Sequence, residues 1–336
     1  MIGPLFNAWE HRLAAVDTNR IIRPFEWGLD WLGLPASDDP LAQVRAWARD
    51  AVAHSAEFFS APQTNDYERR GGDLRFPSAL ETPYAVNNTV VARVFEPPPS
   101  DTPRPRRAVV VLPQWNADAQ GHVGLCQLFA RFGLTAVRLS LPYHDERRPA
   151  DLSRAEFIVS SNIGRTLHAN RQAVLDARRI VDWLVMQGYE RIGIMGTSLG
   201  SCLSMLTMAH DARITTGAFN HVSPYFADVV WRGISTRHVR AGLDGHITLP
   251  DLRDCWMPIS PWPFIPRVRG RKVLLVYARY DQTFPVDLSR QFLAEFDRQD
   301  IAYERALLPC GHYTTGKAPF KFLDGYYLTK FFVKRL

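Results

Sequence analysis

The sequence holds little of what an extracellular, fibrous or membrane-spanning protein needs. Only four cysteines occur in 336 residues, Cys126, Cys202, Cys255 and Cys310, and they have no CxxC or other zinc-ligand spacing. Neither a disulfide framework nor a zinc site is indicated, and buried reduced thiols are expected. No run reaches the ~18 apolar residues of a membrane-crossing helix. The opening MIGPLFNAWEHRLAAVDTNR carries charges where a secretory leader would need an unbroken apolar stretch, so the expected location is cytoplasmic. The 21 glycines and 24 prolines are scattered, which excludes collagen, coiled coil and wholesale disorder. There is no internal repeat. GxGxxG, HExxH and EF-hand patterns are missing, and no cofactor or metal is expected.

What is present is the composition of a folded globular chain, 46% hydrophobic and 22% charged, with a formal net charge of +6. Basic residues cluster at Arg104, Arg106 and Arg107, at Arg147 and Arg148, and at Arg267, Arg269, Arg271 and Lys272. A nucleic-acid or anionic-membrane face is one reading of them. Short basic clusters are more often solvated rim, and no RRM, zinc-finger or recognition-helix pattern accompanies these, so no nucleic-acid partner is expected.

From about Asn87 onward, β-rich apolar runs alternate with helical patterns, which predicts a mostly parallel sheet covered on both faces. Strands are expected at Val90–Phe95, Ala108–Leu112, Thr135–Leu139, Ile192–Met195, Ile214–Phe219, Val273–Ala278 and Tyr303–Leu308. Helices are expected at about 121–132, 165–187, 200–210, 287–299 and 319–335, the second marked by Leu167, Val174, Ala177, Val181, Leu184 and Val185 at three- and four-residue steps. Residues 1–80 read as a helical extension packed on a domain spanning 81–336. Its aromatic stretch around Phe25, Trp27 and Trp31 could alternatively lie on a membrane surface, a contact less favoured than packing. The segment 96–107, EPPPSDTPRPRR, reads as a stiff surface linker. Residues 222–269, rich in aromatics and prolines, read as a cap inserted between two strands.

The sharpest local signal is ERIGIMGTSLGS, in which an apolar strand runs into Gly196, Thr197, Ser198, Leu199 and Gly200 and then a helix start. A serine on such a tight turn is pushed clear of the sheet, and small residues are needed two before and two after it. A serine hydroxyl needs a base, and the base an orienting acid. After the strand KVLLVYARY comes Asp281; after AYERALLP comes Cys310, Gly311 and then His312. An acid at the C-terminal edge of a parallel strand lies where open α/β sheets place their sites. The remaining histidines, among them His11, His54, His210, His221, His238 and His246, read as rim or structural.

Ser198, Asp281 and His312, in that chain order, resemble the nucleophile elbow, acid and final-loop histidine of the α/β-hydrolase superfamily. The resemblance spans about residues 85–336. It implies an eight-stranded, mostly parallel sheet with helices on both faces and a small helical cap after the sixth strand. Its implied chemistry is ester hydrolysis by a Ser-His-Asp triad. One oxyanion donor should then be the Leu199 amide. The other should come from the loop Pro113-Gln114-Trp115-Asn116, where relatives often carry His-Gly at the first two positions; Trp115 and Gln114 remain alternatives. LPYHDERRP offers Tyr143, His144, Asp145, Arg147 and Arg148 to the same edge, with Tyr143 and His144 as substrate contacts. His144 beside Asp145 lacks the further ligands of a metal site. The cap aromatics Tyr225, Trp231, Trp256 and Trp262 suggest a small-molecule ester with an apolar acyl or alcohol portion. The same triad would serve a thioesterase, amidase or acyltransferase, or survive in a non-catalytic binder. A competing pattern, GHYTTGK at Gly311–Lys317, resembles a phosphate-cradling loop but is followed by Ala318 instead of Ser or Thr, so nucleotide hydrolysis is not expected.

Overall fold

In the computed structural model, which describes residues 2–99 and 105–336, the apolar runs become one nine-stranded sheet. Its strands are β1 (Glu68–Arg70), β2 (Asp73–Pro77), β3 (Thr89–Phe95), β4 (Arg107–Leu112), β5 (Thr135–Leu139), β6 (Arg191–Thr197), β7 (Ile214–Asn220), β8 (Lys272–Ala278) and β9 (Glu304–Leu308). They lie in the order β1-β2-β3-β5-β4-β6-β7-β8-β9. The six from β5 to β9 are parallel, and the β1–β2–β3 edge is antiparallel. In β4, Ala108, Val110 and Leu112 enter one hydrophobic cluster while Val109 and Val111 enter the other, so a single apolar run feeds both faces of the sheet.

The helices are α1 (Gly3–Ala14), α2 (Pro40–Ala53), α3 (Ser55–Phe58), α4 (Val123–Arg131), α5 (Ile163–Met186), α6 (Leu199–His210), α7 (Phe226–Arg232), α8 (Arg237–Leu243), α9 (Leu249–Cys255), α10 (Val286–Arg298), α11 (His312–Thr315) and α12 (Phe320–Arg335). Residues of α4 and α12 share the cluster containing Val109 and Val111, whereas α5 and α6 supply the opposite one. The long α5 begins where the Asn162 side chain accepts from the Arg165 amide at 2.8 Å. Helices α7, α8 and α9 fill the connection from β7 to β8.

Two expectations need correction. The sheet has nine strands instead of eight, and residues 68–77 are not helical but form the β1–β2 hairpin. Its two-residue turn is Gly71-Gly72, with Gly71 at φ 59°, a backbone suited to glycine. Leu74 and Phe76 face inward while β1 is exposed, so the hairpin carries little of the apolar signal that marks the inner strands. The added strand makes the helical insertion follow the seventh strand of this chain. Before the hairpin, α1 packs on α11, α2 on α9, and Phe25, Trp27 and Leu32 against the larger core. Arg104 and the rest of residues 100–104, within the expected linker, lie outside the described residues. All four cysteines are buried and unpaired. Among the described residues no helix is long and apolar enough to cross a membrane.

Candidate active site

The parallel strands end at a common edge, and the six loops leaving it, after β4 to β9, carry polar side chains that meet or flank one another. The turn after β6 is the tightest. Ser198 has φ 57° and ψ −120°, a strained backbone for a residue with a side chain. A Cβ on Gly196 would lie 1.9 Å from the Gly200 carbonyl oxygen, and one on Gly200 would lie 2.1 Å from that of Leu112. Both glycines are therefore required by contact. The Ser198 amide donates to Asn220 O at 2.8 Å, which ties the turn to the end of β7. With its backbone held this way, Ser198 presents Oγ to His312 Nε2 at 3.0 Å. His312 Nδ1 in turn lies 2.9 Å from Asp281 Oδ2.

Asp281 is buried, and its other oxygen accepts the amides of Thr283 and Phe284 at 2.8 and 2.7 Å. The Phe284 ring stacks on the His312 imidazole, nearly parallel at 5°, with centroids 5.3 Å apart. Burial by itself would raise the Asp281 pKa, but His312, together with His221, outweighs it and holds the carboxyl below its ordinary value. Burial likewise opposes the imidazolium of His312, yet Asp281 prevails and its pKa is raised. Ser198, His312 and Asp281 thus form a continuous line from hydroxyl to imidazole to carboxylate. That geometry suits proton abstraction from the serine and return of the proton to a leaving group.

Leu199 opens α6, so its amide projects from the helix start beside Ser198. Across from it, the loop after β4 holds Gln114 and Trp115, whose amides meet no acceptor among the described residues. The Trp115 indole N–H is already used, donating to Ala155 O at 2.7 Å. Its ring lies between His238, stacked at 5.8 Å, and the Arg154 guanidinium at 5.0 Å. Of the two Trp115 donors, the indole N–H is thus committed and the backbone amide is not.

His144 has a different place from the one expected. It is buried, and its Nδ1 lies 2.9 Å from Pro142 O, which fixes the proton on that nitrogen. Nε2 then accepts the Asn116 amide at 2.9 Å. Burial lowers its pKa to about 4, consistent with a neutral ring. Nδ1 is thus spent within its own loop and Nε2 on the loop that carries Gln114 and Trp115, not on a substrate. Tyr143 is fully buried against Tyr84 and Phe157. Asp145 pairs with Arg138 at 3.1 Å, and Arg147 with Asp176 at 2.8 Å, both ends of the latter wholly buried, so neither loop residue is free to reach a substrate. Trp256 is also core, its indole donating to Ile163 O at 3.3 Å. Tyr225 and Trp262 pack together at 5.2 Å; Trp262 and Trp231 are the partly exposed members of the aromatic set.

His221, read from the sequence as rim or structural, stands beside Asp281. It follows β7, has φ 61°, and brings Nδ1 to 3.0 Å from Asp281 Oδ2. Its ring lies 4.6 Å from that of His312. The signal that located Asp281, a polar residue just past a parallel strand, applies equally to His221. Among the described residues, His221, Asp281 and His312 are the one group that could bring three metal-binding donors together.

No family model matches this chain, and no curated protein does. Solved structures with the same architecture do. An acylaminoacyl peptidase from Pyrococcus horikoshii aligns at TM-score 0.61 and 15% identity, covering 80% of this chain and 42% of that one. This chain therefore spans about two-fifths of that peptidase's length. The acetyl xylan esterase of Paenibacillus sp. R4 aligns at TM-score 0.61 and 12% identity, covering 97% of this chain and 99% of the esterase. Acetyl xylan esterase 1 from Thermoanaerobacterium sp. JW/SL YS485 gives 0.57 and 14%, with coverages of 95% and 98%. The chain has the α/β-hydrolase fold.

Proposed function

We propose that the protein is a serine hydrolase that cleaves a carboxylic ester through an acyl-enzyme. The observation that carries this reading is the unbroken line from Ser198 Oγ through His312 to Asp281. Ser198 Oγ attacks the ester carbonyl carbon as His312 Nε2 takes its proton. The tetrahedral oxyanion is held by the amides of Leu199 and of the Gln114–Trp115 stretch. The carbon–oxygen bond to the alcohol then breaks, and His312 returns the proton to the departing oxygen. Water repeats the sequence on the acyl-enzyme and releases the acid. Asp281 keeps the imidazole in the tautomer that can accept from Ser198.

An apolar acyl or alcohol portion is favoured by the partly exposed Trp231 and Trp262 of the β7–β8 connection and by Phe284 beside His312. A reducing cytoplasm suits four unpaired buried thiols. A fluorophosphonate probe should label the protein, and Ser198→Ala should abolish labelling. p-Nitrophenyl esters from acetate to palmitate, assayed beside thioesters and anilides, should be turned over by the wild type and not by Ser198→Ala. Failure of both assays with the folded wild type would overturn the proposal, whereas preference for thioesters or anilides would reassign the acyl donor.

A further inference from the structure

The first fourteen residues lie outside the stretch whose sequence motifs resemble the α/β-hydrolase superfamily, yet one face of α1 is built against the candidate active site. Gly3, Phe6, Asn7 and Glu10 recur at three- and four-residue steps, so they share one side of the helix. Phe6 stacks on Tyr280 at 4.8 Å and 10°, and Asn7 Oδ1 accepts from Gln282 Nε2 at 3.2 Å. These two contacts bracket Asp281. One turn further, Glu10 is completely buried and turns its carboxylate to the loop after β9. Oε2 accepts the Tyr313 amide at 2.9 Å; Oε1 accepts the Thr314 amide at 2.9 Å and the Thr314 hydroxyl at 2.8 Å.

A buried carboxylate is costly unless its oxygens are satisfied. Among the described residues, Glu10 pairs with no arginine or lysine, and its bonds go to the two residues after His312. The fit is close enough to dictate a neighbour. A Cβ on Gly311 would meet three atoms first, Glu10 Cδ at 2.4 Å, Oε1 at 2.5 Å and Cγ at 2.6 Å. Gly311 has φ −108°, which any residue can adopt, so it is the presence of Glu10 that demands a glycine there.

We propose that Glu10 is a positioning residue for His312: α1 carries its carboxylate onto the backbone of the His312 loop and thereby sets where the imidazole stands against Ser198. Two acceptor oxygens are required, because an amide side chain would point an NH2 at one of the donors. The proposal rests on His312 acting as the base, and its tests separate it from that reading.

The first test needs no substrate. In the full-length protein, Gly311→Ala should lower the urea midpoint strongly, but only weakly in a Glu10→Ala background, where the three clashing atoms are gone. Strict additivity of the two substitutions would overturn the proposal, whatever the enzyme does. The second test uses an ester that the wild type cleaves. Glu10→Gln and Glu10→Ala should lower kcat by about 10- to 100-fold, the scale of a misplacement near 1 Å, with KM nearly unchanged. The groups facing the His312 ring are Asp281, His221 and, through its charge, Glu10. Removing the Glu10 charge should therefore move the acidic limb of the kcat/KM profile to lower pH in both variants. A uniform loss of rate with an unmoved limb would reduce Glu10 to scaffolding and refute the assignment. Failure of the wild type both to react with the fluorophosphonate and to cleave any acyl donor would sink the catalytic reading and the positioning claim with it, while the urea test would still report the Glu10–Gly311 contact.

Discussion

His221 Nδ1 and His312 Nδ1 converge on a single oxygen, Asp281 Oδ2, at 3.0 and 2.9 Å. The second imidazole is buried, and burial together with the neighbouring His312 lowers its pKa, so His221 stands beside the carboxylate as a neutral ring. It closes that side of Asp281 to water and adds to the polar surroundings that keep the carboxyl ionised. His221→Ala should open this flank and weaken the partner of the imidazolium. The expected outcome is a fall in kcat/KM of about tenfold, far smaller than the ~10⁴-fold loss expected of Asp281→Asn, which fixes the wrong tautomer. Steady-state kinetics of the two variants on one ester checks the order; equal losses would mean that His221 is an equal member of the relay.

The sign of the pH dependence follows from His312. Its pKa is raised above the ordinary histidine value of 6.5, because Asp281 outweighs burial. Only the neutral ring accepts the Ser198 proton, so activity should be lost as pH falls through that raised value. The kcat/KM profile is expected to climb through a single ionisation with its midpoint above 6.5. A midpoint below that would contradict the Asp281 contact.

Much of this arrangement was legible because steric necessity leaves a mark in sequence. Gly196 and Gly200 cannot carry a Cβ, so the Ser198 turn is visible in the residue string itself. Inner strands such as β4 are buried on both faces and read as unbroken apolar runs. The β1–β2 hairpin was hidden because its exposed edge strand is Glu-Arg-Arg and only Leu74 and Phe76 mark the inner face. Trp256 and Trp231 look alike within a proline-broken segment, and packing alone makes the first core and the second partly exposed. Glu10 leaves no local trace, since its donors lie about three hundred residues away in the chain.

His144 acts at a distance from the serine. By accepting the Asn116 amide at 2.9 Å, it fixes the loop that offers the Gln114 and Trp115 amides. His144→Phe keeps a planar ring and removes the acceptor. Loss of one oxyanion donor costs about 10²- to 10³-fold in kcat, and a misaimed loop should approach the lower figure while leaving KM within a few-fold. Kinetics on a short-chain ester, alongside retained labelling of Ser198 by fluorophosphonate, distinguishes this from loss of the nucleophile. An unchanged kcat would exclude the loop as an oxyanion donor.

The loop after β5 that carries His144 is anchored beneath by charge. Arg147 and Asp176 are each 0% exposed and 2.8 Å apart, one in the turn after β5 and the other midway along α5. Each guanidinium nitrogen of Arg147 and each carboxylate oxygen of Asp176 has a partner. Arg147 also donates to the carbonyls of Asn87 and Ser140, and Asp176 accepts from Ser78 Oγ at 2.7 Å. Removing one partner strands the other charge in the interior, which costs about 3–5 kcal/mol. Arg147→Met and Asp176→Leu should each lower stability by about that amount. The double variant should recover a large part of it, because two apolar side chains need no partner. Urea unfolding of the four proteins closes the cycle, and additive losses would mean that the backbone carbonyls, not Asp176, are what hold Arg147.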